Sequence, residues 1–170
     1  MNDLAKRIGR IEDRQEIEDL IVRYFIASDD NDFETLKRCF AANAVFAGTG
    51  FPVSEGRANV MVFVRAFREG VGQTVHTPNF ALVSFDPGSD DRAVGTVGAH
   101  IELSYGGTTV FGAFRYHDKY VREEGAWRFA RRELLSIHVG PWDSISSSLT
   151  DRLNVRWPGT EPVVSDLRQT

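Results

Sequence analysis

Residues 93–121 read AVGTVGAHIELSYGGTTVFGAFRYHDKYV and consist of two apolar runs that meet at a pair of glycines, Gly106 and Gly107. Both runs are rich in β-branched and aromatic residues, and they alternate with the period of two that half-buried strands show. Two glycines between such runs are typical of a tight hairpin turn. The stretch therefore predicts two long antiparallel strands, at residues 93–105 and 109–121.

The same pattern continues on both sides of this hairpin. Residues 75–85 and residues 126–139 also alternate, and turn-forming sequences separate them from the central pair. These sequences are Pro87-Gly88-Ser89-Asp90 on one side and Glu123-Glu124-Gly125 on the other. Short connections of this kind join antiparallel neighbours. The second half of the chain is thus predicted to be one antiparallel sheet of long strands.

The first half has the spacing of helices instead. Apolar residues recur at i, i+3 and i+4 along a first amphipathic segment: Ile17, Leu20, Ile21, Tyr24 and Phe25. Further helices are predicted at residues 33–40 and 58–69, with a short extended piece at 44–50 between them. Helices followed by antiparallel strands predict an α+β domain, in which the N-terminal helices pack on one face of a curved sheet.

The composition is that of a globular protein and disfavours several classes of partner. The chain has 170 residues, enough for one domain, with 42% hydrophobic residues and a net charge of −4. Because no basic run could neutralise phosphates, nucleic acid is not an expected partner. No apolar stretch is long enough to span a bilayer and no signal peptide is visible, so we expect no membrane partner and a cytoplasmic location. The single cysteine, Cys39, excludes an internal disulfide and a cysteine-rich metal site.

Residues 1–140 are predicted to form the α+β domain, and residues 141–170 are predicted to be an arm of that same domain. This last part is polar and is interrupted by Pro158 and Pro162. Such a composition does not predict a further strand or helix. We expect the arm to cover the mouth of a pocket or to contact a neighbouring subunit.

Asp29 is the first candidate for chemistry. It ends the first amphipathic segment, and on a helical wheel it falls on the flank of the apolar stripe centred on Tyr24, whereas Asp30 points away. Asp29 is therefore the member of this acidic cluster that can turn inward. A solvated helix end is the simpler interpretation. A buried carboxylate would need a partner to offset its desolvation.

His76 is such a partner, because it opens an apolar strand. A carboxylate on one ring nitrogen fixes the tautomer of a neutral imidazole and raises its basicity. The other nitrogen is then free to take a proton from a substrate carbon. The alternative is an ordinary histidine at a strand edge. No two histidines are spaced with a carboxylate as metal ligands are, so we expect no metal site.

An arginine in the last strand is the third candidate. Arg131 and Arg132 occupy opposite faces of this strand, so one of them is expected to point inward. An inward guanidinium would stabilise a departing anion or a developing enolate. A β-bulge would exchange the two assignments, and a surface cation is an equally simple interpretation.

These residues, in this order, carry a resemblance to a known family. Over residues 8–140 the chain resembles the SnoaL-like branch of the nuclear-transport-factor-2-like superfamily. Within this branch it is most similar to scytalone dehydratase, bile-acid 7α-dehydratase and hexachlorocyclohexane dehydrochlorinase. The resemblance rests on Ile17-Glu18-Asp19-Leu20 leading to Tyr24 and Asp29, on Val75-His76, and on Gly125-Ala126-Trp127-Arg128-Phe129 followed by Arg131-Arg132.

The resemblance implies a cone-shaped domain whose curved antiparallel sheet wraps a deep pocket closed by the N-terminal helices. In such enzymes an Asp-His pair acts without a cofactor. By resemblance, His76 is the base, Asp29 its partner, Tyr24 a polarising group and Arg132 an aid to the leaving group. A further aspartate found in the bile-acid branch is absent here, where the sequence is Val97-Gly98-Ala99-His100. His100 or Glu102 could replace it.

The leading hypothesis is a cofactor-independent lyase that acts on a small hydrophobic, cyclic substrate. A steroid-isomerase-like enzyme or a polyketide cyclase of the same fold is the second hypothesis, in which an aspartate base would make His76 unnecessary. A binding or scaffolding module, such as the small subunit of ring-hydroxylating dioxygenases, is the third. That reading predicts that Asp29 and His76 lie apart or are blocked by side chains. The resemblance also implies a homo-oligomer, either a trimer or a dimer.

Overall fold

The computed structural model describes residues 3–167 and confirms the α+β class. Three helices and six strands follow one another along the chain, and a short 3₁₀ helix comes after the last strand. Their bounds are α1 (Asp3–Asp29), α2 (Phe33–Cys39), β1 (Phe40–Gly48), β2 (Phe51–Glu55), α3 (Arg57–Glu69), β3 (Val71–Phe85), β4 (Arg92–Tyr105), β5 (Thr108–Glu123), β6 (Ala126–Pro141) and the 3₁₀ helix (Trp142–Ser147).

The strands form one curved, unclosed sheet in the order β2-β1-β6-β5-β4-β3. The three long hairpins predicted from the second half of the chain are present, but the sheet is not wholly antiparallel. β1 and β6 run parallel, with Phe46 opposite Arg132. A hairpin forces its two strands to be antiparallel, whereas β1 and β6 are separated by most of the chain, so no short turn constrains their direction. The predicted antiparallel pairing of the four long strands is confirmed, and the parallel pair of β1 and β6 is the exception to an antiparallel sheet.

Both central hairpins close with two-residue turns. Gly106 and Gly107 have φ angles of 57° and 78°, and Glu124 and Gly125 have φ angles of 54° and 77°. Two consecutive residues with positive φ define the type I′ turn, whose twist matches that of the flanking strands. The glycine and acidic residues at these positions are therefore the reason that the strands reverse here, as the sequence predicts.

The helices pack on one face of the sheet through the stripe that begins at Ile17. Ile17, Leu20, Ile21 and Phe25 are each at most 2% exposed, whereas Ile8 and Ile11 are 47% and 69% exposed. The first turns of α1 therefore contribute little to the core, although the helix begins well before the predicted segment. The carboxylate of Asp32 caps α2 by accepting from the Thr35 backbone N–H at 3.0 Å.

The remaining boundaries show where the pattern was informative. α3 ends at Glu69 and is capped by Gly70, as its sequence predicts. The predicted extended piece at 44–50 belongs to β1, which begins earlier, at Phe40. β2 was not predicted, because it is only five residues long and contains Pro52.

Cys39 is buried and unpaired, and burial raises the pKa of its thiol to about 11, so it is a packing residue.

The segment after the 3₁₀ helix returns along β6. Val155 pairs with Val139 and with Val163 in isolated bridges. The Asp166 carboxylate accepts from the backbone N–H of Ser136 at 2.7 Å and from the Thr49 hydroxyl at 2.5 Å. The tail is thus held to β6 and to the end of β1 in the same chain. Within residues 3–167, no helix has both the length and the apolar character that crossing a membrane requires.

Two glycines with free space around them provide a test of this turn geometry. A Cβ at Gly125 or at Gly9 would meet no atom within 4 Å, but Gly125 has a φ of +77° and Gly9 lies inside α1. We expect Gly125→Ala to lower the free energy of unfolding by about 1 kcal/mol, because an L-residue is strained at positive φ. Gly9→Ala should raise it by about 0.5–1 kcal/mol, since alanine favours a helix. Urea denaturation of both variants measures this, and the same sign of change in both would contradict the assignment.

Candidate active site

A cavity of about 70 Å³ lies between the helices and the inner face of the sheet. Its wall is mostly aromatic and aliphatic, with a few polar groups on one side. The apolar lining comes from Phe46, Phe51, Phe63, Val64, Phe67, Ile101, Leu103, Phe114, Leu134 and Trp157, and the polar lining from Tyr24, Ser28, Arg68, Thr74, His76 and Tyr116. An apolar cavity with a few convergent polar groups is typical of a small-molecule site.

Asp29 and His76 meet at the edge of this cavity. The His76 Nδ1 lies 2.5 Å from Asp29 Oδ1, and the backbone N–H of His76 donates to Asp29 Oδ2 at 2.9 Å. Because an ionised carboxylate can only accept, Nδ1 carries a proton, and in the neutral imidazole the lone pair is therefore on Nε2. Phe25 stacks on the imidazole, with ring centroids 5.1 Å apart. The pair therefore has a fixed orientation and tautomer.

The carboxylate of Asp29 remains ionised in this setting. Burial raises its pKa, but hydrogen bonds from the ring and the backbone of His76 lower it more, with a smaller contribution from Thr74. The net pKa lies below the ordinary value for an aspartate. A negative charge is therefore available beside the imidazole ring, where it would offset the positive charge that His76 gains on taking a proton.

Two tyrosines line the cavity near this pair. Tyr24 is 8% exposed and Tyr116 is 2% exposed. Burial raises the pKa of both phenols, while the positive charge of Arg132 lowers both in part. The two phenols therefore stay protonated and can donate a hydrogen bond into the cavity. Tyr24 was predicted as a site residue, and Tyr116 was not.

Arg132 is the inward arginine, and it lies behind these two rings. Its side chain is fully buried, and its guanidinium carbon is 4.2 Å from the ring centroid of Tyr24 and 4.1 Å from that of Tyr116. A shift in register between β5 and β6 leaves Ala130 as an extra residue, so Phe129 and Arg132 face the same side. Arg131 instead pairs with Glu133 at 3.3 Å. The bulge thus decides which arginine is inward.

Asp118 is the carboxylate that accompanies Arg132 in the interior. Its Oδ1 lies 3.6 Å from the Nε of Arg132, and its Oδ2 accepts from the Tyr120 hydroxyl at 3.0 Å. Burial raises the pKa of Asp118 to about 6, against the lowering effects of Arg132 and Tyr120. Sequence reasoning missed Asp118. Its position on the same strand face as Tyr116 and Tyr120 is the signal that could have shown it, because an inward charge needs a buried partner.

Arg68 and Thr74 are further polar groups that the sequence analysis did not select. Arg68 continues the i, i+4 row of Val60 and Val64 on α3, and Thr74 shares a strand face with His76. Both patterns place the residue on the buried side of its element. These two patterns are the signals by which the sequence could have shown Arg68 and Thr74 as buried polar residues. Both residues line the cavity.

The histidines other than His76 lie away from the cavity. His100 stacks on Phe111 with its Nδ1 2.8 Å from the Asn79 side-chain oxygen, and His138 contacts the same phenylalanine. Glu102, the other suggested replacement for the absent aspartate, is exposed. Neither His100 nor Glu102 joins Asp29 and His76. Among residues 3–167, no cluster of three or more histidine, cysteine or carboxylate side chains could hold a metal ion.

Comparison with known proteins gives a family for this arrangement. The profile of the SnoaL-like domain matches residues 9–133, most of the chain. The chain belongs to the SnoaL-like family. None of the curated proteins matches it.

Solved structures share the fold of this SnoaL-like protein. The crystal structure of LinA is 20% identical, with a TM-score of 0.75 over 82% of this chain and 95% of that one. The LinA-type3 hexachlorocyclohexane dehydrochlorinase of Novosphingobium barchaimii LL02 is 19% identical, with a TM-score of 0.75 over 82% and 96%. A protein of Novosphingobium aromaticivorans described as NTF2-like with a cystatin-like fold is 28% identical, with a TM-score of 0.63 over 78% and 86%.

The buried Asp118–Arg132 pair predicts a strong coupling between the two residues. Arg132→Leu should lower the free energy of unfolding by about 3–5 kcal/mol, because it leaves the Asp118 carboxylate buried without a cation. Adding Asp118→Asn should recover a large part of this loss, since the amide keeps a partner for Tyr120 and carries no charge. Denaturant unfolding of the single and double variants measures the coupling. Additive destabilisation in the double variant would show that the two charges do not interact.

Proposed function

We propose that this SnoaL-like protein is a cofactor-independent lyase that removes a proton from a carbon of a small hydrophobic, cyclic substrate. The observation that carries the proposal is the Asp29–His76 pair, hydrogen-bonded at 2.5 Å and bordering an apolar cavity. A base must be oriented and within reach of the proton that it removes. The fixed tautomer leaves Nε2 of His76 as that base.

In the proposed reaction, the Nε2 of His76 takes the proton while the electrons of the C–H bond form a carbon–carbon double bond. The leaving group departs from the adjacent carbon with the electrons of its own bond, either as halide or as hydroxide, which takes the proton back from the His76 imidazolium to leave as water. The imidazolium that forms is held by the ionised carboxylate of Asp29. Proton and leaving group are thus accounted for without a cofactor.

The departing group would meet the phenol of Tyr24, which lines the cavity. Tyr116 offers a second phenol at the same wall. Arg132 lies 4.1–4.2 Å behind the two rings, so its positive charge favours negative charge on either oxygen. In this proposal Arg132 assists the leaving group through the tyrosines rather than by direct contact.

The relatives agree with this class of reaction. LinA-type3 is named a hexachlorocyclohexane dehydrochlorinase, so an elimination from a ring compound is known on this fold. Identities near 20% support the fold, and the reaction of this chain rests on its own residues. The binding-module reading is disfavoured by the short distance between Asp29 and His76 and by the cavity beside them.

The size of the cavity sets a condition on substrate binding. Its volume of about 70 Å³ is smaller than the roughly 150 Å³ in which an engineered apolar cavity holds benzene. A ring compound therefore needs the wall to move. Trp157 is the wall residue from the C-terminal tail, and it packs against Phe51 and Phe67 at centroid distances of 6.3 Å. Displacement of this side chain would open the cavity.

The dyad is tested by its two single variants. Asp29→Asn and His76→Ala should each lower kcat/KM for elimination by at least about 10²-fold, because a positioned base contributes 10²–10⁴-fold. Hydroxylated and halogenated ring compounds provide the substrates, and halide release or the absorbance of the new double bond gives the rate. His100→Ala is the matched control, since this histidine contacts Asn79 and Phe111 away from the cavity, and it should retain full activity. Unchanged turnover in both dyad variants would exclude the proposed base.

The same variants separate the lyase from an isomerase or cyclase of this fold. If Asp29 were itself the base, His76→Ala would remain active on a ketosteroid-like substrate while Asp29→Asn would not. The structure gives this reading less support, because both carboxylate oxygens of Asp29 are engaged by His76.

The proposal extends to a homo-oligomer, a trimer or a dimer, in the cytoplasm. Phe80, Leu82 and Val94 are 52%, 66% and 52% exposed on the outer face of the sheet. Exposed apolar side chains grouped in this way are typical of an interaction surface.

Light scattering on the purified protein should give the mass of a dimer or trimer, and Leu82→Glu should shift it toward the monomer. Val62→Glu, at a 67% exposed position on α3, is the control that should not. A monomeric wild-type protein would contradict this part.

A further inference from the structure

Arg68 is a second buried arginine, after Arg132, and it lines the cavity. The proposed elimination does not use it. The residue ends the inward row of α3 and is 8% exposed. It lines the same cavity as His76 and Thr74. Unlike Arg132, which lies behind the tyrosine rings, Arg68 is part of the wall itself. It is therefore in a position to contact a bound molecule.

All the protein groups that accept hydrogen bonds from Arg68 are neutral. Its Nε donates to the Asn31 side-chain oxygen at 2.6 Å, its Nη1 to the Thr74 hydroxyl at 3.1 Å and its Nη2 to the Gly72 carbonyl at 3.4 Å. A guanidinium has five N–H donors, so two remain beyond these three contacts. No ion pair of Arg68 with a carboxylate occurs within residues 3–167.

The charge of Arg68 is therefore only weakly compensated. Burial lowers the pKa of its guanidinium, and the more distant carboxylate of Asp29 offsets this in part. Asp29 gives both of its oxygens to His76, so it does not pair with the arginine. Arg132, by contrast, has Asp118 at 3.6 Å. A buried cation without a counter-ion is costly, and a bound anion would remove that cost.

A neutral side chain could make some of these three contacts at lower cost. Glutamine, for example, donates to oxygen acceptors without a buried charge. The three contacts to Asn31, Thr74 and Gly72 account for three donors of Arg68, but they leave its buried charge without a counter-ion. The charge is explained if the molecule that enters the cavity carries a negative oxygen. Thr74 and His76 are two residues apart in β3, so their side chains point to the same face of the sheet. Because Arg68 donates to Thr74, a group held at Arg68 would lie close to the proposed base.

We propose that Arg68 binds a negatively charged oxygen of the substrate, and that the cavity selects ring compounds that carry a carboxylate or an ionised hydroxyl. This inference rests on the proposed function for the ring-shaped substrate. Its test measures binding alone, so it does not depend on whether His76 acts as a base. Arg68 is a specificity residue in this proposal, because it contacts a charged substituent of the substrate and takes part in no bond that forms or breaks.

Benzoate and benzamide are the matched probes, since they have nearly the same shape and differ in charge. Binding is followed by calorimetry or by the fluorescence of the tryptophans, of which Trp157 lines the cavity. Wild-type protein should bind benzoate more tightly than benzamide. Arg68→Gln should weaken benzoate binding roughly 10- to 100-fold, the equivalent of one or two charge-assisted hydrogen bonds, and leave benzamide binding unchanged.

Two further variants complete the design. Arg65→Gln removes a guanidinium from the same helix, where Arg65 is exposed over the ring of Phe33 at 4.2 Å, and it should keep the preference for benzoate. If Arg68→Gln fails to fold, Arg68→Lys takes its place in the test. Because lysine keeps the charge, this variant should keep part of the preference for benzoate. A nitrophenol, whose ionised form is visible by absorbance, separates the two oxygen types, because binding of the phenolate shows that an ionised hydroxyl is accepted.

The outcomes that would overturn the proposal differ from those for the lyase. Equal binding of benzoate and benzamide by the wild-type protein, or no binding of any charged probe, excludes an anion site. An equal loss of both probes in Arg68→Gln would show that the arginine only supports the fold. His76→Ala should retain the preference for benzoate. A loss of turnover in that variant with the preference intact therefore supports both proposals separately.

Discussion

The carboxylate of Asp29 joins the helical layer to the sheet at the point where the cavity forms. One oxygen holds the imidazole of His76, and the other holds the backbone of the same residue. The end of α1 and the start of β3 are therefore fixed relative to each other by a single side chain. Phe25, from the last turns of α1, covers the imidazole from the helix side. The orientation of the His76 imidazole at the edge of the cavity depends on this contact.

Around this contact, neutral donors line the cavity, and the charged pair of Arg132 and Asp118 lies behind them. The inner wall of the cavity is apolar, and the phenols of Tyr24 and Tyr116 provide its neutral donors. Behind them lies Arg132 with Asp118, a pair that never reaches the cavity surface. In low dielectric surroundings a charge acts over several ångströms, so Arg132 can influence the tyrosines without meeting a ligand. The lining around the two tyrosines is thus mostly apolar and is still electrostatically polarised.

Periodicity predicted the elements that carry Asp29, Tyr24 and His76, because each lies on a regular helix or strand whose buried face can be read from its spacing. Arg132 was placed only as one of two candidates, since the extra residue at Ala130 that turns it inward is a local irregularity without a sequence signature. The parallel seam of β1 and β6 joins distant segments, which no local pattern can specify. The roles of Asp118 and Arg68 depend on which groups surround them in the interior, and the sequence pattern does not give those contacts.

Trp157 and the Asp166 contacts lie outside residues 9–133, the part of the chain that the family model matches. The matched part thus contains Asp29 and His76, whereas Trp157 of the cavity wall comes from the C-terminal segment that follows the 3₁₀ helix. Because loops and tails accept sequence change more readily than packed strands, this wall can diverge while the chemistry beneath it stays the same. Members of the family with the same Asp-His geometry would then differ in the molecules they admit according to the length and sequence of their tails. If the proposed function holds, substrate choice and catalysis are encoded in separable parts of this chain.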